Sequence, residues 1–205
     1  MKPRQILLYV AVVVPALILA AVGVTHPRYL TAQNAEYWRN LHIAILPIVP
    51  LVGFAPWLVV RGLDAFVTWL TAILGFVYAV FYSALDVLAG IGAGGLKLDG
   101  MGAASGIGVM YDLGRNLGFI GSVALIAVGA VVGLALFRRV GFSSLPGTAL
   151  VIVGSVLFLR DHIYFPLGVL GQLCLAVGFA ALVFARQRPG RIADAARLTT
   201  SSRPG

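Results

Sequence analysis

Tyr78, Tyr82 and Asp86 recur at intervals of four at the end of a long apolar run, a spacing that stacks them on one face of a helix as a polar stripe. A carboxylate that close to hydrocarbon is costly unless it is paired, solvated or at work. The other groups able to do chemistry fall at a matching depth. Counting from the arginine-bearing end of each run, His42 stands 19 residues from Arg61, Asp86 22 from Asp64, Arg115 23 from Arg138 and His162 24 from Arg186. At the helical rise these spacings are roughly 28 to 36 Å, against about 30 Å for a hydrocarbon core. His26, 22 residues after Arg4, belongs to the same level, as do Asp112, Asn116, Arg160 and Asp161. Gln172 is the most polar side chain near the middle of the last apolar run.

Three chemistries fit such a ring. In the first it is only interfacial, with Asp112 and Arg115 an i,i+3 pair and Asp86 bonded to Arg115 or Arg160. In the second it walls a pocket for a small molecule or ion, floored by Tyr78, Tyr82 and Gln172 and walled by His42, Asp86 and Arg160, with Arg115, Asn116 and Asp161 at its edge. In the third, His26, His42 and His162 ligate a metal or a haem with Asp86, because imidazoles and a carboxylate suit zinc, iron and copper. No two of the histidines share a helix at i,i+4 spacing, so they meet only if the fold brings them together.

The elements that must position these groups are transmembrane helices. Hydrophobic residues make up 60% of the 205 and charged residues only 11%, too little polar surface for a soluble globule. Long apolar runs without strand-like alternation predict an all-α polytopic membrane protein, a bundle of six spans over residues 1–185. The predicted spans are residues 5–24, 41–60, 65–89, 117–137, 142–159 and 163–185. The first run is about twenty residues, longer than the ~7–15 of a signal-peptide core, and reads as a retained span. Pro47, Pro50 and Pro56 predict a kinked second span. The glycine-dense stretch 90–114 reads as a long outer loop, and residues 186–205 as a basic tail without a fold of its own.

With both termini inside, ten of the 15 Lys and Arg fall on the inner side with two acids, and five on the outer side with five acids, a balance of +8 against zero. That is the positive-inside pattern of an N-in, C-in protein of the cell inner (plasma) membrane, and anionic lipids on the cytoplasmic face account for the basic side without nucleic acid. The single cysteine, Cys174, rules out an intrachain disulfide or a thiolate cluster. No nucleotide loop, zinc-protease helix motif, nucleophile elbow or long repeat is present. The resulting expectation is binding or transport of a small molecule or ion through a polar pocket at the extracytoplasmic end, as a lone protein or beside a membrane protein partner. The alternative is an intramembrane metal- or acid-catalysed enzyme acting on a lipid-like substrate at the outer leaflet.

Overall fold

The computed structural model describes residues 2–100 and 104–187. Among these residues the chain is all-helical, with no strand: α1 (Pro3–Thr25), α2 (Ala35–Ile45), α3 (Val49–Val60), α4 (Ala65–Leu85), a π-helical segment (Asp86–Gly92), α5 (Ala93–Leu98), α6 (Ala104–Val140), a 3₁₀ turn (Gly141–Ser144), α7 (Leu145–Asp161) and α8 (Leu167–Gln187). Five helical stretches are long and apolar enough to cross a membrane: Pro3–Thr25, Ala35–Val60, Ala65–Leu98, Ser105–Asp161 and Leu167–Gln187. Large apolar side chains point away from the bundle, among them Leu7, Phe66, Trp69, Phe76 and Phe142. That surface is the one a multi-pass membrane protein presents to lipid.

The rods close on themselves. α1 packs on α3, α3 on α4, α4 on α6, α6 on α7, α7 on α8, and α8 back on α1. The core inside this ring holds Tyr78, Tyr82, Leu125, Val128, Phe158, Leu175 and Phe179. Without a hydrophobic drive between helices in lipid, close approach must come from small residues. Gly53 and Gly75 supply it at the α3–α4 crossing, where a Cβ on Gly75 would stand 2.2 Å from the Gly53 carbonyl oxygen. The stretch Ser105–Asp161 is 57 residues long, roughly 85 Å if straight, and it doubles back at Gly141, whose φ of +65° suits a residue without a side chain. α6 and α7 then lie side by side, with Gly129 against Val151 and Gly133 against Thr148.

One expectation is corrected. The glycine-dense stretch is not a long loop: it continues α4 through the π segment and α5, and α6 is helical from Ala104. Residues 101–103 of it lie outside the described residues. In a membrane interior every backbone amide must be satisfied locally, and helix does this even for a glycine-rich chain. The proline break expected in the second span is present: α2 and α3 are separated by residues 46–48, where Pro47 has no N–H to give the helix, and together they form one apolar stretch, Ala35–Val60. The tail expected from Arg186 lies outside the described residues from residue 188 onward, while Arg186 and Gln187 still belong to α8. α2, the π segment and α5 pack on one another and cap one end of the ring. All three histidines sit at this capped end.

Candidate metal centre and adjoining cavity

Each histidine arrives by a different route. His26 follows the last residue of α1, and the loop after it is fixed by Asn34, which accepts from the Thr31 N–H at 2.8 Å and donates to the Tyr29 carbonyl at 2.9 Å. Arg28 ties that loop to the end of α7 through Asp161 at 3.4 Å. His42 lies on α2, one turn after Trp38, whose indole N–H donates to the Ala89 carbonyl in the π segment at 3.1 Å. Gly90 of that segment abuts the imidazole of His42: a Cβ there would stand 2.2 Å from the ring. Single π turns inside helices concentrate at functional sites, and this one sets both Gly90 and Asp86.

His162 occupies the turn between α7 and α8, closed by the Tyr164 N–H donating to the Asp161 carbonyl at 2.9 Å. Its φ of 50° and ψ of −129° belong to a region that favours glycine. A histidine held there costs of the order of 1–3 kcal/mol in backbone strain. The side chain must matter more than the backbone's preference.

The three rings face one another. His26 lies 5.0 Å from His42 and 5.6 Å from His162, centroid to centroid, and edge-on to both, while His42 and His162 are nearly parallel. His26 Nδ1 is 2.7 Å from the Pro27 carbonyl and His42 Nδ1 is 2.7 Å from the Trp38 carbonyl. A carbonyl only accepts, so both Nδ1 atoms carry the proton and both Nε2 atoms are left as lone pairs. Those lone pairs stand 3.4 Å apart with no hydrogen between them. His162 Nδ1 meets the Tyr82 hydroxyl at 2.6 Å, and its Nε2 is buried with no hydrogen-bond partner among the described residues. One nitrogen from each ring lies within 4.8 Å of the other two.

Two facing lone pairs call for a donor or a cation between them: a water giving both its hydrogens, a proton or a metal ion. A proton would serve by making an imidazolium, which burial opposes. Burial holds His26 below the ordinary 6.5 despite its bond to the Pro27 carbonyl, and holds His162 well below it with His26 and His42 adding to the effect. The spacing of His26 and His42 also suits a metal ion. Zn–N bonds of ~2.0–2.1 Å in a tetrahedron place ligand nitrogens ~3.4 Å apart, which is the His26–His42 distance, while the trio as a whole spreads to 4.8 Å.

A cavity of about 600 Å³ opens beside the histidines. Its lining includes Trp38, His42, Tyr82, Tyr111, Arg115, Gly118, Phe119, Phe158, Arg160, Asp161, His162 and Tyr164. Of the pocket residues expected from sequence, His42, Tyr82, Arg115, Arg160 and Asp161 therefore line it. Tyr78, Asp86 and Gln172 do not: they are fully buried in the bundle, and Asn116 is exposed outside it. Asp86 is not bonded to Arg115 or Arg160 either. Both of its oxygens lack a hydrogen-bond partner among the described residues, as do the Tyr78 hydroxyl and both amide atoms of Gln172. Asp86 nevertheless lies within electrostatic reach of Tyr82 and Tyr164, which touch His162 and His26. Asp112 pairs with Arg115 as the spacing predicts.

Trp38, Gly90, Tyr111 and Tyr164 were missed from sequence. Their signal was there for three of them: Trp38 is four before His42, Gly90 four after Asp86 and Tyr111 four before Arg115, each on the helical face of a residue already singled out. Neither a protein-family model, a curated protein nor a solved structure matches the chain.

Proposed function

We propose that the chain is a six-span integral membrane protein of the inner (plasma) membrane, N-in and C-in, and that it holds a divalent transition-metal ion on Nε2 of His26, His42 and His162 at its extracytoplasmic end. The six spans are α1, α2–α3, α4 with its extension, α6, α7 and α8. The observation that carries the reading is the set of three convergent imidazole nitrogens, two of them oriented by carbonyls at their far side. Such partners behind the ligands are the usual companions of a metal site, and they fix ring and tautomer together. A metal at His162 Nε2 completes the pattern by making Nδ1–H donate to Tyr82.

Three neutral imidazoles would leave a bound divalent ion with its full charge in an apolar setting, and the buried carboxyl of Asp86, within electrostatic reach of the tyrosines that touch His162 and His26, could supply a counter-charge by giving up its proton as the ion binds. Three protein ligands also leave a coordination position free, as in catalytic rather than structural zinc sites. His42 and His162 both border the cavity, so a molecule held there would lie beside the ion these residues would hold. This arrangement supports metal-dependent binding of that molecule, with Lewis-acid activation of it as the chemistry the ion would add.

Metal analysis of protein purified without chelator tests the reading. One equivalent of zinc, copper or iron is expected, lost in His42→Ala and His162→Ala and retained in Arg138→Gln. Cobalt substitution should give the intense visible bands of a tetrahedral site. Metal at background level after reconstitution, or a content indifferent to His42→Ala, overturns it.

A further inference from the structure

The cavity itself says what class of molecule it takes. α6 and α7 touch closely at Gly129 and Gly133, near their joint at Gly141. Farther along, toward the histidines, the cavity separates them: Arg115, Gly118, Phe119 and Ser122 line it from α6, and residues 158–161 from α7. Its exposed lining residues are Arg115, Phe119 and Arg160. An exposed phenylalanine on a membrane-crossing stretch faces hydrocarbon, and arginines one turn away and at the neighbouring helix end sit at headgroup level. The opening therefore straddles the boundary between lipid tails and headgroups.

The charges at that opening are unequal. Asp112 pairs with Arg115, and Asp161 pairs with Arg28. Arg160 has no ionic partner among the described residues. An unpaired guanidinium beside an apolar slot is a receptor for an anionic oxygen group. We propose that the cavity binds a membrane-resident, single-chain amphiphile with an anionic head, which enters sideways between α6 and α7, lays its chain past Phe119 and sets its head between Arg160 and the histidine trio. This rests on the metal reading only for the inner contact of the head; Arg160 and the apolar slot are independent of it. A volume of about 600 Å³ falls within the ~300–1,000 Å³ of ligand pockets, room for one chain and a compact head. A chain leaving lipid for an apolar slot gains little, since both are hydrocarbon-like. Selection must therefore come from the head.

The cavity holds its own reporter, Trp38, one of three tryptophans. In the Trp57→Phe/Trp69→Phe protein in neutral maltoside micelles, 9,10-dibromostearate should quench Trp38 saturably. The half-saturation point should rise at least tenfold for the methyl ester, and at least fivefold in Arg160→Gln, whose exposed position leaves folding intact by size-exclusion profile. Arg138→Gln, at the other end of the bundle, should match the parent. Equal quenching by acid and ester, no effect of Arg160→Gln, or no saturable quenching overturns the proposal. Running the titration on zinc-loaded and chelator-stripped protein separates the two readings. Acid-selective quenching in a protein that fails the metal analysis sinks the metal centre alone, and stoichiometric metal without quenching sinks the amphiphile alone.

Discussion

The two ends of the bundle treat polar groups in opposite ways. At the end bearing Arg61, Arg138 and Arg186, polar groups at helix termini close the helices. Asp64 caps α4 by accepting from the Val67 N–H at 2.9 Å, and Arg186 donates to the Val59 carbonyl at 2.6 Å and the Arg61 carbonyl at 3.1 Å, closing the end of α3. At the histidine end, buried polar atoms are left over: Asp86, His162 Nε2 and the facing lone pairs of His26 and His42. Buried polar groups are nearly always satisfied, and the exceptions call for an explanation. One end is closed by the chain's own groups, and the other leaves buried polar atoms without a partner among the described residues, which is where the proposed ion would sit.

The contrast breaks most sharply at the ligands. His42→Ala should abolish stoichiometric metal and lower affinity at least a hundredfold in a competition titration with a chromophoric chelator, whereas Arg186→Gln should leave metal untouched. Next in size is the packing that seats the ligand. Gly90→Ala drives a Cβ into the His42 ring and should cost about 1–3 kcal/mol in unfolding free energy along with the metal. Gly95→Ala, in open space on α5, should instead be neutral or stabilise by up to ~1 kcal/mol through helix propensity. Equal effects of the two would mean that Gly90 does not position His42.

Asp86→Asn sharpens the comparison electrostatically. Removing the carboxyl that would ionise beside the ion should weaken metal binding by about tenfold, the lower end for groups behind the ligands, while the metal-free protein keeps or gains thermal stability. A smaller effect is expected from pH on the metal-free protein. Burial holds the His26 and His162 imidazoles below the 6.5 they have when exposed. Below about pH 6.5 the unfolded chain therefore binds protons that the folded chain refuses, and stability falls as the solution is acidified; above it these groups contribute no slope. A Tm flat from pH 7.5 to 5 would show the histidines to be solvated. The least change belongs to the closed end, where Arg186→Gln should cost about 1 kcal/mol, the worth of a hydrogen bond at a half-exposed site.

The membrane class and the level of the polar ring were legible because both follow from counting. An apolar run of given length fixes how far along a helix each histidine, Asp86 and Arg115 must stand, and Asp112 with Arg115 needed only one turn of helix. The glycine-dense stretch was misread because glycine content reports local propensity, whereas the bilayer rewards any backbone that satisfies itself. Depth along the axis also cannot say which way a residue faces. Asp86 and Gln172 were placed at a pocket and lie buried behind it, while Trp38 and Tyr111 face it unannounced.

By itself, then, the chain's order of residues determined the all-helical class, the apolar runs and the height of each ionisable group along them, since these depend on neighbours within a few turns. Whether His26, His42 and His162 meet was decided by tertiary structure alone. Their approach depends on how α1, α2 and the α7–α8 turn are seated by Gly90, the Trp38–Ala89 bond and the Arg28–Asp161 pair, contacts between residues far apart in sequence that no local pattern encodes.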